Sequence, residues 1–178
     1  MLQLQVSYFV IMIVLDASTL ILITKIELLD AFLASVHQQV VVPREVAREC
    51  CSAKKTLDAL MIQKALDESR IKVLAVKNNR LIAKLSSDFS LGKGEAETIA
   101  LAMKERAALI GVDDKNGINA CKLLGIGFTT ALGILIRSYE KGLIQRSGAV
   151  AKLDSLAAYG RYQVSIIEDA RLRLEARK

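Results

Sequence analysis

The sequence predicts an α/β protein in which helices cover a central parallel sheet. Residues 9–15 form a continuous apolar run rich in β-branched side chains, which is typical of a strand buried on both faces. Short apolar runs of this kind alternate with amphipathic segments of helical spacing, a pattern that favours right-handed crossovers within one parallel sheet. The predicted core is aliphatic, because 52% of the residues are hydrophobic and only 4% are aromatic.

The first elements have recognisable boundaries. The opening strand ends at Asp16, and helical spacing predicts one or two short helices between residues 19 and 36. A second strand over residues 40–42 leads into a helix that has Pro43 in its first turn, where the missing N–H of proline costs nothing.

The later elements continue the same alternation. An amphipathic helix is predicted over residues 56–69, then a strand over residues 71–76 and a basic segment over residues 77–84. The predicted inward face of that helix consists of Leu57, Leu60, Met61, Ala65 and Leu66. The rest comprises a helix from 91–97 to about Arg106, a strand over 107–112, a helix over 117–124 ended by Gly125, a strand over 126–129, a helix over 131–141 ended by Gly142, and helices from Ser147 and Ile167.

The chain is predicted to form one domain over residues 1–178. No linker or low-complexity segment divides it, and a chain of this length can bury roughly 70% of the surface that its unfolded form exposes. Met12 stands directly before the strand, so residues 1–11 are interpreted as an N-terminal extension. Residues from about 159 to 178 are interpreted as a C-terminal helical addition.

Charge and cysteine usage narrow the function classes. The formal net charge of +6 favours an anionic partner, and nucleic acid is the commonest one for such a domain. Cys50, Cys51 and Cys121 lack the spacing of a zinc or redox motif, so we expect reduced thiols and a cytoplasmic location. The apolar N-terminal run is shorter than the roughly 20 residues that a membrane span needs, and no membrane association is predicted.

Acidic residues follow two of the predicted strands. Asp16 ends the first strand, and Asp113 with Asp114 ends the strand over residues 107–112. Ligands of open α/β sheets bind at the carboxyl ends of the strands, so these carboxylates are candidate site residues. The structural alternative is that Asp16 only caps the next helix, a duty for which Ser18 or Thr19 also compete. Adjacent carboxylates repel each other unless a cation compensates, and a metal ion would stabilise the second pair.

Two glutamates lie on helices that can reach the same edge. Glu49 belongs to the helix after the second strand, and Glu95 lies in the first turn of a later helix. Each has a structural alternative, since exposed helix charges are common and the helix dipole favours acids in a first turn. Oxygen ligands without histidine or cysteine select Mg²⁺ or Mn²⁺. The segment from Gly92 to Gly94 lacks the phosphate-loop pattern, so nucleoside triphosphate binding is rejected.

Four stretches together carry a family pattern. They are VLDASTLI around Asp16, VPREVAREC with Glu49, GKGEAETIALA with Glu95, and LIGVDDKNG with Asp113 and Asp114. In their order and spacing they resemble the PIN-domain nucleases, in the broad group that includes VapC-like toxins. The later stretch TTALGILIRSYEKGLI resembles the helix after the last strand in one PIN subgroup, so that the likeness covers residues 13–158.

The resemblance implies a three-layer α/β/α sandwich that binds Mg²⁺ or Mn²⁺ and cuts RNA to leave a 3′-hydroxyl and a 5′-phosphate. By position, Asp16, Glu95 and Asp113 with Asp114 match metal ligands, and Glu49 matches an acid that orients water or completes a second metal site. It further implies a homodimer, and a toxin role adds an antitoxin protein as partner. Candidate contacts to RNA phosphates are Lys77, Arg80, Lys84, Lys93 and Lys115.

Three other functions are alternatives to a ribonuclease. A haloacid-type phosphatase needs a second Asp two residues after the first, where this chain has Ser18, and a phospho-receiver domain needs its acidic pair after the first strand. A PIN-like module that binds RNA or protein without catalysis is the stronger alternative, and nothing in the sequence excludes it.

Overall fold

A computed structural model describes residues 11–52 and 56–176 of the chain. Its strands are β1 (Met12–Leu15), β2 (Gln39–Pro43), β3 (Ile71–Leu74), β4 (Leu109–Gly111) and β5 (Phe128–Thr129). They form one sheet in the order β3-β2-β1-β4-β5, and all neighbouring pairs are parallel. The predicted parallel sheet is confirmed, and the opening strand lies at its centre.

Helices connect the strands and extend the chain after the last one. Their bounds are α1 (Ala17–Lys25), α2 (Leu29–Ser35), α3 (Arg44–Cys51), α4 (Leu57–Asp67), α5 (Asn79–Phe89), α6 (Lys93–Glu105), α7 (Lys115–Leu124), α8 (Ala131–Glu140), α9 (Arg146–Tyr159) and α10 (Val164–Ala176). Within the described residues, no helix has both the length and the apolar composition that crossing a bilayer would need.

The sheet separates two hydrophobic cores. Ile13 and Leu15 of β1 face a core shared with α1 to α4 and α8 to α10, whereas Val14 faces a core shared with α5, α6 and α7. Successive side chains of a strand point to opposite faces, and here both faces are covered. This arrangement confirms the predicted three-layer α/β/α sandwich.

The inward face predicted for α4 is wrong at Leu57 and Leu60, which are 71% and 59% exposed. Ala65 is buried as predicted, together with Ala59 and Ile62. The segment has apolar residues on more than one side, so their spacing alone does not select a face. The small alanine side chains allow α4 to approach its neighbours α1 and α3 closely.

Helix α5 occupies the stretch for which the sequence indicated only a basic segment. Asn78 caps this helix, since its side-chain oxygen accepts a hydrogen bond of 3.0 Å from the backbone N–H of Leu81. Ile82 and Leu85 bury the inner side, and the basic residues Arg80 and Lys84 are exposed. Arg80 and Lys84 therefore belong to the outer face of an amphipathic helix, whereas Lys77 precedes it.

Candidate active site

Two of the predicted acids meet where the strand order reverses. From β1 the chain builds β2 and β3 on one side and β4 and β5 on the other. Asp16 directly follows β1, and Asp113 follows β4 after one intervening residue. Leu15 and Gly111 are register partners, and the backbone N–H of Asp16 donates to the carbonyl of Gly111 at 2.9 Å. Both carboxylates thus lie at a topological switch point, the usual ligand position in open α/β sheets.

Asp16 is buried and caps α1. Its Oδ1 accepts a hydrogen bond of 2.7 Å from the backbone N–H of Thr19, and its Oδ2 accepts one of 2.8 Å from the Ser18 hydroxyl. The side chain is 1% exposed, and this burial raises the pKa of Asp16 to about 7 although both hydrogen bonds lower it. The negative charge of Asp113 raises it further. Asp16 therefore caps α1, as one of the two interpretations of the sequence expected. It also lies at the switch point of the sheet, where ligands of open α/β proteins bind.

Asp113 receives donors on both of its oxygens. Its Oδ2 accepts from the Thr19 hydroxyl at 2.7 Å and from the backbone N–H of Ala131 at 2.9 Å, while its Oδ1 accepts from the Tyr162 hydroxyl. Burial raises the pKa of Asp113, against the lowering effect of these hydrogen bonds. The carboxylate is thereby fixed to α1, to the start of α8 and to the segment after α9.

Thr19 links the two acids. Its backbone N–H contacts Asp16, and its hydroxyl contacts Asp113. The position depends on Gly111, because a Cβ there would lie 3.0 Å from Cγ2 of Thr19 and 2.5 Å from Cδ2 of Leu15. A residue with a side chain at position 111 would displace the side chains of Leu15 and Thr19, so the glycine leaves room for Thr19 to contact both acids.

The other three predicted acids form a second group. Glu95 is half-buried at the start of α6, and its Oε2 accepts a hydrogen bond of 2.8 Å from the backbone N–H of Gly92. Burial raises the pKa of Glu95, and the negative charges of Asp114 and Glu49 add to that effect. Asp114 caps α7, since its Oδ1 accepts from the backbone N–H groups of Asn116 and Gly117 at 2.7 and 3.3 Å.

Glu49 reaches this second group through a gap beside α6. A Cβ on Gly94 would lie 2.6 Å from Oε1 of Glu49 and 3.0 Å from its Oε2. The carboxylate of Glu49 therefore occupies the space that a side chain at residue 94 would fill. This close approach holds Glu49, which belongs to α3, against the first turn of α6 near Glu95.

The five predicted acids form two groups near the carboxyl ends of β1 and β4. Asp16 and Asp113 share Thr19, whereas Glu95 interacts with Glu49 and Asp114. Among the described residues, no three His, Cys, Asp or Glu side chains are arranged to hold one metal ion. A shared ion between Asp16, Glu95 and Asp113 stays a prediction.

The chemistry of the first pair suits a hard divalent cation. Asp16 and Asp113 offer only carboxylate oxygens, and their hydrogen-bond donors are hydroxyls and backbone N–H groups that bring no positive charge. Buried carboxylates near each other are costly without a cation. Mg²⁺ is commonly held by one or two carboxylates, with waters and substrate phosphates filling its other positions. The pair therefore fits Mg²⁺ or Mn²⁺.

The predicted phosphate contacts differ in their surroundings. Lys93 forms an ion pair of 3.2 Å with Glu45, and Lys84 forms one of 2.8 Å with Asp88. A hydrogen bond from Arg48, aided by Lys93, lowers the pKa of Glu45 to about 2. Lys77, Arg80 and Lys115 are exposed as well. Lys84 and Lys93 would thus have to exchange a protein partner for a phosphate.

Sequence reasoning missed three contributors to this site. The sequence indicates Thr19 only as a competing helix cap, although its place three residues after Asp16 is the spacing that lets it contact the acid. Gly94 stands out in the sequence only as part of a segment that lacks the phosphate-loop pattern. Tyr162 gave no signal at all, because it lies 49 residues from Asp113 in the chain.

Comparison with known proteins gives one result that bears on this geometry. A family model described as a PIN domain matches residues 12–174, which include every strand and all five acids. No curated protein matches the chain.

Proposed function

Since the chain belongs to the PIN-domain family, whose members are generally nucleases, we propose that it is a Mg²⁺- or Mn²⁺-dependent endoribonuclease. The observation that carries this proposal is the buried pair of Asp16 and Asp113 at the carboxyl ends of β1 and β4. A cation would offset the repulsion between these carboxylates, and the pair lies on a chain with a net charge of +6 that favours a polyanionic substrate.

The two groups of acids have different roles in this proposal because their surroundings differ. Asp16 and Asp113 hold the ion, because both are fixed by Thr19 and carry their charge close together. A bound ion would lower the pKa of a water molecule and offset the charge that develops on the attacked phosphate. Glu95, with Glu49 and Asp114 near it, supplies further carboxylate oxygens that orient the water or complete a second ion site.

Exposed basic residues bind the RNA backbone in this proposal. Lys77, Arg80 and Lys115 are exposed and supply charge without base selection. Their contribution makes RNA affinity fall as salt rises, because each neutralised phosphate releases counterions. Sequence preference would have to come from other contacts.

The direct test removes the charge of Asp16. Asn is about as good as Asp at a helix N-cap, so Asp16→Asn keeps the cap of α1 and removes a metal ligand. We expect RNA cleavage with Mn²⁺ to fall at least a hundredfold in this variant. Asp67→Asn, at an exposed position of α4, is the matched control and should cleave like the wild type. Undiminished cleavage by Asp16→Asn would end the proposal.

Measurements of RNA cleavage, RNA binding and Mn²⁺ binding together separate a ribonuclease from a module that only binds RNA. RNA binding without cleavage by the wild type, together with no Mn²⁺ binding in calorimetry, would support the PIN-like binding module. Cleavage that requires Mn²⁺ and Asp16 would support the enzyme.

A toxin of the VapC-like group is the finer form of this proposal. It predicts that expression of the wild type arrests growth, whereas Asp16→Asn does not. It also predicts a small antitoxin encoded by the neighbouring reading frame, whose co-expression restores growth. The proposed homodimer is checked by the molar mass of the purified protein in solution.

A further inference from the structure

The segment between α9 and α10 reaches the acidic pair through one side chain. The hydroxyl of Tyr162 donates a hydrogen bond to Oδ1 of Asp113, and the backbone of Leu132 at the start of α8 hydrogen bonds the same hydroxyl. The ring is half-buried and packs against the core that contains α8 and α9. The C-terminal part of the chain is thus in direct contact with a proposed metal ligand.

A glycine makes room for the tyrosine ring. A Cβ on Gly160 would lie 2.4 Å from Cε2 and 2.7 Å from Cδ2 of Tyr162. The ring therefore lies directly against the backbone at the end of α9, where any other residue would displace it. The glycine therefore leaves the ring in the position from which its hydroxyl contacts Asp113.

The donors around Asp113 explain what this hydroxyl contributes. An ionised carboxylate has about four lone-pair sites. The Thr19 hydroxyl and the N–H of Ala131 take both sites on Oδ2, and Tyr162 takes one on Oδ1. The remaining site for a cation is on Oδ1, the same oxygen that Tyr162 contacts.

We propose that Tyr162 is a positioning residue that fixes Oδ1 of Asp113 for the divalent ion, so that the segment after α9 is part of the acidic site. The inference rests on the proposed nuclease function and adds a residue outside the four matching stretches. Groups that hydrogen bond a metal ligand typically contribute 10- to 100-fold to metal affinity or activity. Tyr162 does not touch the substrate in this account and acts only through Asp113.

A purely structural role makes a different prediction. Asp113 and Tyr162 also accept the first N–H groups of α8, so the tyrosine could serve only to anchor that helix end. Loss of an anchor lowers the melting temperature and leaves the Mn²⁺ dependence of the folded protein unchanged. Loss of a positioning group changes the Mn²⁺ dependence.

The test is Tyr162→Phe in the full chain, which keeps the ring and removes the hydroxyl. We expect kcat at saturating RNA and Mn²⁺ to fall about tenfold, and the Mn²⁺ concentration for half-maximal activity to rise by at least a similar factor. The rise in melting temperature that Mn²⁺ produces should shrink as well, which is a readout independent of catalysis. Tyr159→Phe, at a tyrosine that is 56% exposed, is the matched control and should change none of these.

A second variant displaces the ring without changing its chemistry. Gly160→Ala introduces the clash described above, together with an approach of 2.9 Å to the backbone carbonyl oxygen of Leu156, at a residue whose backbone, with φ of −91°, suits alanine. It should shift the Mn²⁺ dependence in the same direction as Tyr162→Phe.

The outcomes distinguish failure of the role proposed for Tyr162 from failure of the proposed nuclease function. An active wild type whose Tyr162→Phe variant has the same kcat and Mn²⁺ dependence would overturn the inference and leave the nuclease intact. A variant with a lower melting temperature but an unchanged Mn²⁺ dependence would also overturn it. A wild type that neither cleaves RNA nor is stabilised by Mn²⁺ would refute the proposed function, and the role of Tyr162 would fall with it.

Discussion

Replacing Asp16 by Asn should stabilise the metal-free protein at neutral and alkaline pH. Burial raises the pKa of Asp16 to about 7 from its ordinary value of 3.8. The folded chain therefore binds more protons than the unfolded chain between these two pH values, and stability falls as pH rises across that window. Stability from this group is complete below about pH 3.8 and lost above about pH 7.

The size of the effect follows from the same two pKa values. At 1.36 kcal/mol for each pKa unit, ionisation of Asp16 above pH 7 costs the folded state up to roughly 4 kcal/mol. Asn carries no charge and still caps α1, so Asp16→Asn escapes this cost. The variant should lose activity and gain stability, as expected where a charge is buried for function.

Denaturant unfolding in the presence of EDTA measures the effect at pH 5 and pH 8. The stability difference between Asp16→Asn and the wild type should be larger at pH 8, and the Asp67→Asn control should show no such increase. Added Mn²⁺ should stabilise the wild type more than the variant, because an ion that binds only the folded state adds its binding free energy. A wild type as stable as Asp16→Asn at pH 8, without metal, would show that Asp16 is not held as a costly charge.

Two further substitutions test how the acids are held. Gly94→Ala should move the Glu49 carboxylate aside and reduce RNA cleavage. It should change the free energy of unfolding by less than about 1 kcal/mol, because the end of that side chain can move and alanine favours a helix. The control is Gly148→Ala, which has nothing within 4 Å of its Cβ and should cleave RNA normally. Thr19→Val should lower the free energy of unfolding by about 1–3 kcal/mol and weaken Mn²⁺ binding, because Asp113 loses a hydrogen-bond donor in a buried site. Thr19→Ser keeps the hydroxyl and should bind Mn²⁺ more tightly than Thr19→Val in calorimetry.

The sheet and the places of the acids could be predicted because they depend on local pattern. Residues 12–15 are apolar and include the β-branched Ile13 and Val14, and such a run ends where the chain leaves the sheet, so Asp16 is expected at a strand end. The same reasoning located Asp113 and Asp114 after β4. Parallel strands then place these ends at one edge without any knowledge of side-chain packing.

Features that depend on packing between distant segments could not be predicted. The buried face of α4 is the one that packs against α1 and α3, which the spacing of Leu57 and Leu60 does not reveal. The contact between Tyr162 and Asp113 arises because α9 and α10 pack beside α8, far along the chain from β4. A lone tyrosine between two helices carries no local pattern that indicates a partner.

Asp113 and Asp114 are adjacent carboxylates after β4 that repel each other, and the structure gives them different environments. Asp113 is held by Thr19, Ala131 and Tyr162 beside Asp16, whereas Asp114 caps α7 and adds its charge to that of Glu95. Since consecutive Cα atoms are only 3.8 Å apart, this one peptide unit joins the two acidic groups. A cation held by Asp113 would therefore also lower the repulsion that raises the pKa of Glu95. The two groups would then be parts of one electrostatic site, with Asp113 as the proposed ligand and Asp114 as the residue that connects it to α7.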